Sequence, residues 1–232
     1  MQIEREYYQP LAAAYIRGKL HEVAGQEHPE LFETELAELG EDGIAQLLAL
    51  AQAHELRLHR FKRSMRLPRV HKVLGMLKSL QPANLLDIGT GRGAFLWPLL
   101  DSWPDLPVTC VDLLDYRVAD LQALQRGGFG QLNAILGDVT HLSFAERSFD
   151  IVTMLEVLEH VPDTRLALAE VCRVAQRAVI FSMPSKEDDN PEHIHLFDQQ
   201  QLRALLAEQG IKHMHFDYVL NHLLVFARIE RS

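Results

Sequence analysis

The feature of this sequence that most limits its fold is a glycine-rich turn between a short apolar run and a helical pattern. Residues 85–95 read LLDIGTGRGAF, in which the apolar run ends at Asp87 and Ile88 and glycines follow at 89, 91 and 93. Glycines at this spacing allow tight backbone angles and let a ligand approach where a Cβ atom would have no room. The segment predicts a strand, a ligand-binding turn and a helix in direct succession.

The rest of the chain from about residue 67 continues this alternation. Seven apolar runs of strand length can be identified: NLLDIG, PVTCVD, LNAILGD, FDIVTML, RAVIFSM, IKHMHFD and HLLVFARI. Helical patterns separate the earlier runs, which is typical of βαβ units and a parallel sheet covered on both faces. The last two runs lie too close together for a helical crossover, so we expect an antiparallel hairpin. The sequence predicts a doubly wound α/β domain whose last strand is antiparallel.

Residues 1–66 have a different character. The segment from Gly43 repeats its apolar residues at helical spacing, and a shorter helix is predicted from Tyr8 to Val23. No alternation of β-branched residues indicates a strand there. We expect an N-terminal helical extension over residues 1–66, acting as a cap or arm on an α/β domain of residues 67–232. Its helices would either close over a substrate, form a dimer arm or simply pack.

Charge and cysteine content restrict the class of partner. The formal net charge is −9, which disfavours binding to phosphate backbones and anionic membranes. Two cysteines, Cys110 and Cys172, are typical of buried thiols in a reducing compartment. The N-terminus lacks the apolar run of a signal peptide, and no stretch approaches the ~20 apolar residues of a membrane span. These features predict a cytoplasmic protein without a nucleic-acid or membrane partner.

Carboxylates at the strand ends distinguish between two kinds of ligand. The turn also satisfies the dinucleotide-binding pattern. However, that pattern places a pyrophosphate at the helix N-terminus, and the carboxylate of Asp87, two residues before the first glycine, would repel it. An amino acid that bears a sulfonium group suits an acidic neighbour better. Asp112 ends the second predicted strand and can bind ribose hydroxyls, while Asp138 follows the third and can accept a hydrogen bond from an adenine amino group. Three such carboxylates favour S-adenosylmethionine over NAD.

Four motifs together resemble one family. DIGTGRG, VD, GDVTHLSFAERSFDIV and MLEVLEHVPD are similar to the class I S-adenosylmethionine-dependent methyltransferases, over about residue 67 to the end. The resemblance implies a Rossmann-like seven-stranded sheet with the last strand antiparallel, and S-adenosylmethionine as the cofactor. It also implies a set of cofactor-binding residues that includes Thr90 and Leu113. Within this set the resemblance assigns Asp87, Gly89, Gly91 and Gly93 to the methionine part, Asp112 to the ribose, Asp138 and Val139 to the adenine, and Leu155 and Glu156 to the pocket edge.

A second group of polar residues follows the fourth and fifth predicted strands. Glu156, Glu159 and His160 would share one face if their turn is helical, and His193 and His195 come after the fifth strand. We predict that His160, His193 and His195 serve acid–base catalysis, since histidine titrates near neutral pH. A metal site of Glu156, Glu159, His160 and His195 stays open as an alternative. Small-RNA 2′-O-methyltransferases have such a quartet, but the Glu-His pair also occurs in methyltransferases that need no metal.

The predicted activity is in-line methyl transfer from S-adenosylmethionine to oxygen, nitrogen or carbon of a small-molecule acceptor. One alternative is a metal-assisted RNA 2′-O-methyltransferase, which the negative charge and the lack of a basic motif interleaved with aromatic residues oppose. An NAD-dependent oxidoreductase and a non-catalytic S-adenosylmethionine-binding module are the others. The sequence does not identify the acceptor, and it leaves a monomer and a homodimer equally open.

Overall fold

The computed structural model describes residues 7–63, 67–187 and 189–230. Within these residues three helices precede the α/β part, in which helices and strands alternate except that β4 directly follows β3 and β7 directly follows β6. The elements are α1 (Gln9–Ala24), α2 (Pro29–Phe32), α3 (Gly40–Ala53), α4 (Pro68–Leu80), β1 (Leu85–Ile88), α5 (Leu96–Ser102), β2 (Val108–Asp112), α6 (Asp115–Arg126), β3 (Leu132–Leu136), β4 (Phe149–Leu155), α7 (Thr164–Val174), β5 (Ala175–Pro184), α8 (Gln199–Glu208), β6 (Met214–Val219) and β7 (His222–Arg228). Short 3-10 turns occur at Leu36–Glu38, His59–Phe61 and Leu158–His160.

The seven strands form one sheet in the order β3-β2-β1-β4-β5-β7-β6. β1 pairs in parallel with β2 and β4, and β4 pairs in parallel with β5. β7 runs antiparallel to both β5 and β6. The predicted Rossmann-like, doubly wound sheet with an antiparallel last strand is confirmed. The strand order reverses between β1 and β4, which is the position where open α/β sheets bind their ligands.

The apolar runs form strands because the central strands are buried on both faces. All four residues of β1 and the first six of β4 are buried. Side chains of β4, β5 and β7, including Val152, Phe181 and Val225, pack in one core cluster with residues of α7 and α8. A strand buried on both faces reads as a continuous apolar run, which is why the sequence identified these strands.

Close packing divides the chain into two compact units. The first contains residues up to Arg66, Gly91–Pro107 and Leu114–Ala134, and the second contains Leu67–Thr90, Val108–Leu113 and residues from Ile135 onward. Each unit collects several separate segments of the chain. The sequence predicts a domain boundary after residue 66. The two compact units do not test this boundary, so it stays a prediction.

In the first unit, α1 lies directly against α6. A Cβ atom at Gly18 would lie 1.8 Å from the carbonyl oxygen of Ala123, so only glycine permits this approach. The residues from Leu11 to Arg17 are all buried, which makes α1 a core helix of this unit. None of the helices within the described residues has both the length and the apolar character that a membrane crossing demands.

Candidate functional site

In the second unit, hydrogen bonds tie the ends of neighbouring strands together. Ile88 is in register with Val111 of β2 and with Met154 of β4, so the three strands end at the same edge. The backbone N–H of Gly89 donates to the carbonyl oxygen of Val111 at 2.8 Å. This alignment brings the residues that follow the strands to the edge where ligands of such sheets bind.

Asp87 of β1 is a buried carboxylate with two neutral hydrogen-bond donors. It is 3% exposed, and its register partner Thr153 donates from Oγ1 to Oδ1 at 2.8 Å. Thr90 Oγ1 donates to Oδ2 at 2.9 Å. Burial raises the pKa of Asp87 to about 7, because it outweighs both hydroxyl hydrogen bonds, and the charge of Asp112 raises it further. A carboxylate in this environment is stabilised by a cationic ligand group.

Asp112 adds a second buried carboxylate, 4% exposed, at the end of β2. Its carbonyl oxygen accepts a hydrogen bond of 3.1 Å from the N–H of Gly137, which fixes the loop after β3 beside it. The next residue, Leu113, is 67% exposed, and Leu136 at the end of β3 is exposed as well. Carboxylates accompanied by exposed apolar side chains suit a ligand with a cationic group, hydroxyls and a flat ring.

In the loop after β3, Asp138 is exposed and Val139 is buried. Oδ1 of Asp138 accepts hydrogen bonds from the backbone N–H and the hydroxyl of Thr140, both at 2.8 Å. The Thr140 N–H is the main cause that lowers the pKa of this exposed carboxyl. The side chain of Val139 packs in the core cluster. Both residues stay predicted adenine contacts, and the structure gives each a structural role as well.

The protein's own packing already requires glycine in the turn after β1. Gly89 and Gly93 have φ values of +69° and +83°. A Cβ atom would lie 2.3 Å from Val157 Cγ2 at the first and 1.9 Å from Trp97 Cε2 at the second. The sequence predicts these glycines both from tight backbone angles, which the positive φ values confirm, and from the approach of a ligand. Internal contacts and backbone angles are sufficient to explain them.

Glu156 does not share a helical face with Glu159 and His160. It has a left-handed φ of +58°, and the 3-10 turn begins only at Leu158. Its Oε1 accepts a hydrogen bond from Ser182 Oγ at 2.7 Å. Arg69 Nε lies 3.4 Å from Oε1, and His222 Nε2 lies 3.5 Å from Oε2. The carboxylate is held by residues of three other elements and is not aligned with Glu159.

Two of the three predicted catalytic histidines come together. The rings of His160 and His193 have centroids 4.8 Å apart, and each residue offers a ligand atom within 4.8 Å of the Glu159 carboxylate. The imidazole of His195 is directed elsewhere, with its Nε2 3.1 Å from the carbonyl oxygen of Val161. The backbone N–H groups of residues 194 and 195 donate to the carbonyl oxygen of Glu159, at 3.0 and 3.1 Å. This pairing holds the loop after β5 against the 3-10 turn.

Sequence reasoning missed the residues that support these side chains. Thr153 lies inside the apolar run of β4, and only the strand register shows that it faces Asp87. Arg69, Ser182 and His222 converge on Glu156 from separate parts of the chain. Thr140 offered a local signal, because an Asp two residues before a Thr is typical of a side-chain turn.

Residues 86–183 match the profile of a methyltransferase domain family. Malonyl-[acyl-carrier protein] O-methyltransferase of Geobacter sulfurreducens is 25% identical over 167 residues, covering 62% of this chain and 61% of that relative. A demethylmenaquinone methyltransferase of Renibacterium salmoninarum is 35% identical over 93 residues, covering 40% of this chain and 37% of its own. The chain therefore spans less than two thirds of the length of either relative.

Solved structures show the same fold. The crystal structure of an S-adenosylmethionine-dependent methyltransferase from Thermotoga maritima superposes with a TM-score of 0.57 at 16% identity. The superposition covers 81% of this chain and 96% of the other. At this identity the likeness is one of fold alone.

Proposed function

Since residues 86–183 form a domain of the class I S-adenosylmethionine-dependent methyltransferase family, we propose that this chain transfers the methyl group of S-adenosylmethionine to a small-molecule acceptor. The family predicted from the four sequence motifs is confirmed by this match. In the reaction the acceptor attacks the methyl carbon in line with its bond to sulfur. S-adenosylhomocysteine leaves, and the acceptor loses a proton to a base or to water.

The observation that carries this proposal is the pair of buried carboxylates at the ends of β1 and β2. Asp87 is hydrogen-bonded to hydroxyls, and its pKa is raised to about 7, so it gains from the cationic ammonium group of the cofactor. Asp112 suits the ribose hydroxyls, and the exposed Leu113 suits contact with the adenine ring. A pyrophosphate would lie against both negative charges, which opposes the dinucleotide alternative.

The remaining cofactor contacts are proposed on the family's motif positions. Gly89, Thr90 and Leu155 border the strand ends of β1 and β4, and Gly91 and Gly93 continue the same turn of the chain. For Glu156 we propose an indirect role, because its carboxylate is already bound by Ser182, Arg69 and His222.

For the acceptor we propose a small molecule methylated on oxygen. Two imidazoles, His160 and His193, lie together after β4 and β5, and histidine is the side chain best suited to remove a hydroxyl proton near neutral pH. One similar protein is named for a malonyl-[acyl-carrier protein] and the other for demethylmenaquinone, so similarity alone leaves the acceptor open. A cytoplasmic location remains part of the proposal, in keeping with two free cysteines.

Calorimetric titration with S-adenosylhomocysteine, S-adenosylmethionine and NAD tests the proposal. We expect the first two to bind and NAD not to bind. Asp112→Asn should weaken the binding of both by at least about tenfold, since each 1.4 kcal/mol of lost interaction corresponds to that factor. The matched control is Glu208→Gln, which removes a carboxylate that is paired with Arg165 and exposed.

Binding of NAD in place of S-adenosylmethionine would contradict the proposal, as would full affinity in Asp112→Asn. Binding without turnover on a panel of phenols, carboxylic acids and amines would instead favour a non-catalytic binding module. Turnover is read as S-adenosylhomocysteine released for each acceptor, with the Glu208→Gln variant as the reference.

A further inference from the structure

We propose that Glu159, His160 and His193 form a binding site for a divalent transition-metal ion such as Zn²⁺. Each of the three offers one ligand atom, and these atoms all lie within 4.8 Å of one another. Glu159 and His160 belong to the 3-10 turn after β4, and His193 belongs to the loop after β5. Two imidazoles and one carboxylate are a ligand set that binds zinc in catalytic sites and leaves positions for water or substrate.

The burial of Glu159 supports a cation at this position. The residue is 1% exposed, and a buried carboxylate is costly unless a positive charge or several hydrogen-bond donors compensate it. The side chains grouped with it are the rings of His160 and His193. A divalent ion coordinated by all three would place a positive charge directly against this buried carboxylate.

The tautomer of His160 is set for metal binding. Its Nδ1 lies 2.8 Å from the backbone carbonyl oxygen of Glu192. A carbonyl oxygen only accepts, so Nδ1 carries the proton, and Nε2 keeps the lone pair that a metal requires. Metal-binding histidines generally donate their other ring N–H to a carbonyl or carboxylate in this way.

The structure also separates this set from the four residues that the sequence suggested. Glu156 is bound by Ser182, Arg69 and His222, and His195 directs Nε2 to the carbonyl oxygen of Val161. The proposed metal site therefore contains His193 instead of His195, and it does not include Glu156. The site is thus a group of three residues from the 3-10 turn after β4 and the loop after β5, which backbone hydrogen bonds join.

A cavity borders the group at His193. It has a volume of about 230 Å³ and is lined by His193 together with Pro184, Lys186 and Leu196 among others. A metal held by three protein ligands would have coordination positions left for water or for an acceptor oxygen. With both imidazoles coordinated, the metal would take over the activation of the acceptor that is proposed above for His160 and His193, since as a Lewis acid it lowers the pKa of a bound hydroxyl. Metal binding itself does not depend on the proposed methyl transfer.

The test is a titration of the chelator-treated full chain with Zn²⁺ by calorimetry and with Co²⁺ by absorption spectroscopy. We expect one equivalent to bind, with the intense visible bands of low-coordinate Co²⁺. His193→Ala and Glu159→Gln should each weaken binding by at least about tenfold. His195→Ala is the matched control, since it removes a neighbouring imidazole outside the group, and it should bind as tightly as the wild type.

His193→Ala is the decisive variant, because His193 lies in a loop, while Glu159→Gln changes a buried side chain and requires a check of folding by circular dichroism. Absence of binding, or equal binding in His193→Ala, would overturn the site. Loss of binding in His195→Ala would overturn the assignment of His193. Titration of S-adenosylhomocysteine into the metal-free protein tests the proposed function separately.

Discussion

Two buried aspartates, one in each compact unit, show how differently the protein treats a carboxylate. Asp87 of β1 is 3% exposed, and Asp120 of α6 is 8% exposed. Asp87 has two hydroxyl partners, and its pKa is raised to about 7. The pKa of Asp120 is lowered. Asp87 is the more deeply buried of the two, but burial acts to raise the pKa of both carboxyls, so the lowered pKa of Asp120 must come from its partners.

The partners of Asp120 explain its low pKa. Lys19 Nζ lies 2.8 Å from Oδ1, Tyr15 donates its hydroxyl to the same oxygen at 3.0 Å, and Arg60 pairs with Oδ2. Burial acts to raise the pKa of Asp120, but the hydrogen bond from Lys19 and the charges of Arg60 and Lys19 outweigh it. For Tyr15, burial and the nearby Asp120 raise the pKa to about 12.

The comparison separates a structural carboxylate from a candidate ligand-binding one. Asp120 is fully compensated within the protein, so it stabilises the unit in which it lies. Asp87 keeps a cost of burial that two hydroxyls do not remove, and a cationic ligand would remove it. Uncompensated buried groups of this kind are concentrated at functional sites.

The largest effect is expected for Asp120→Ala. The substitution leaves Lys19, Arg60 and Tyr15 without their shared acceptor, and breaking a buried ion pair typically costs 3–5 kcal/mol. Both cations are partly exposed, so we expect a loss of about 2–4 kcal/mol in the free energy of unfolding. Urea denaturation measures it, with the exposed Asp105→Ala as the control. If the free energy of unfolding falls no more than in the control, Asp120 is not a stabilising carboxylate, and the proposed difference between Asp87 and Asp120 is wrong.

Asp87→Asn should have the opposite effect on stability and a strong effect on binding. Because the folded-state pKa is raised from 3.8 to about 7, ionisation of Asp87 lowers stability progressively between these two pH values and by its full amount above pH 7. At pH 8 the neutral amide should therefore stabilise the fold by roughly 1–4 kcal/mol, since one pKa unit corresponds to about 1.36 kcal/mol.

The same variant should bind S-adenosylhomocysteine about 10- to 100-fold more weakly, because charge-assisted hydrogen bonds contribute about 1.5–3 kcal/mol. Denaturation and calorimetry at pH 8 measure both effects on one preparation. A variant that is less stable than the wild type would show that the Asp87 charge is compensated in the folded protein. A variant that is more stable and binds normally would remove Asp87 from the site.

Most of the fold could be predicted from the sequence, because its signals are local. Each apolar run formed a strand within a few residues of its predicted ends, and the glycine turn lies between β1 and α5 as expected. The strand-end carboxylates could also be found, since the carboxyl ends of parallel strands meet at one edge. The family match over residues 86–183 confirms the predicted family, while the roles of these carboxylates stay predictions.

The internal partners could not be predicted, because they depend on register and on distant segments. Thr153 lies beside Asp87 because β1 pairs with β4. Asp120 forms ion pairs with Lys19 and Arg60, which are distant in sequence. The shared helical face expected for Glu156, Glu159 and His160, if their turn were helical, is absent for a backbone reason. The left-handed φ of Glu156 breaks the spacing that would place it beside Glu159 on a helix.

The pH dependence of binding gives a smaller effect that sharpens the comparison. Protonation of Asp87 removes the charge that would hold an ammonium group, so affinity for S-adenosylhomocysteine should fall as the pH drops below about 7, by up to about tenfold per pH unit. The affinity should be nearly constant above pH 8. Calorimetry between pH 5.5 and 8.5 measures the profile. Asp87→Asn should flatten it, and an equally steep profile in that variant would assign the dependence to another group.

The smallest effect is expected for Glu156. Its carboxylate has a hydroxyl partner, as Asp87 has, and also a cationic partner, as Asp120 has. Burial lowers the pKa of His222, the charge of Arg69 lowers it as well, and Glu156 at 3.5 Å raises it. Glu156→Gln removes the one raising influence, so the pKa of His222 should fall further, as read from its imidazole resonance in an NMR titration. Since the side chains are partly exposed, the free energy of unfolding should change by less than about 1 kcal/mol.

Glu208→Gln, which removes a carboxylate paired elsewhere, should leave the His222 titration unchanged. A His222 pKa that stays constant or rises in Glu156→Gln would mean that Ser182 and Arg69 already neutralise this carboxylate, which would place Glu156 with Asp120 as a purely structural group.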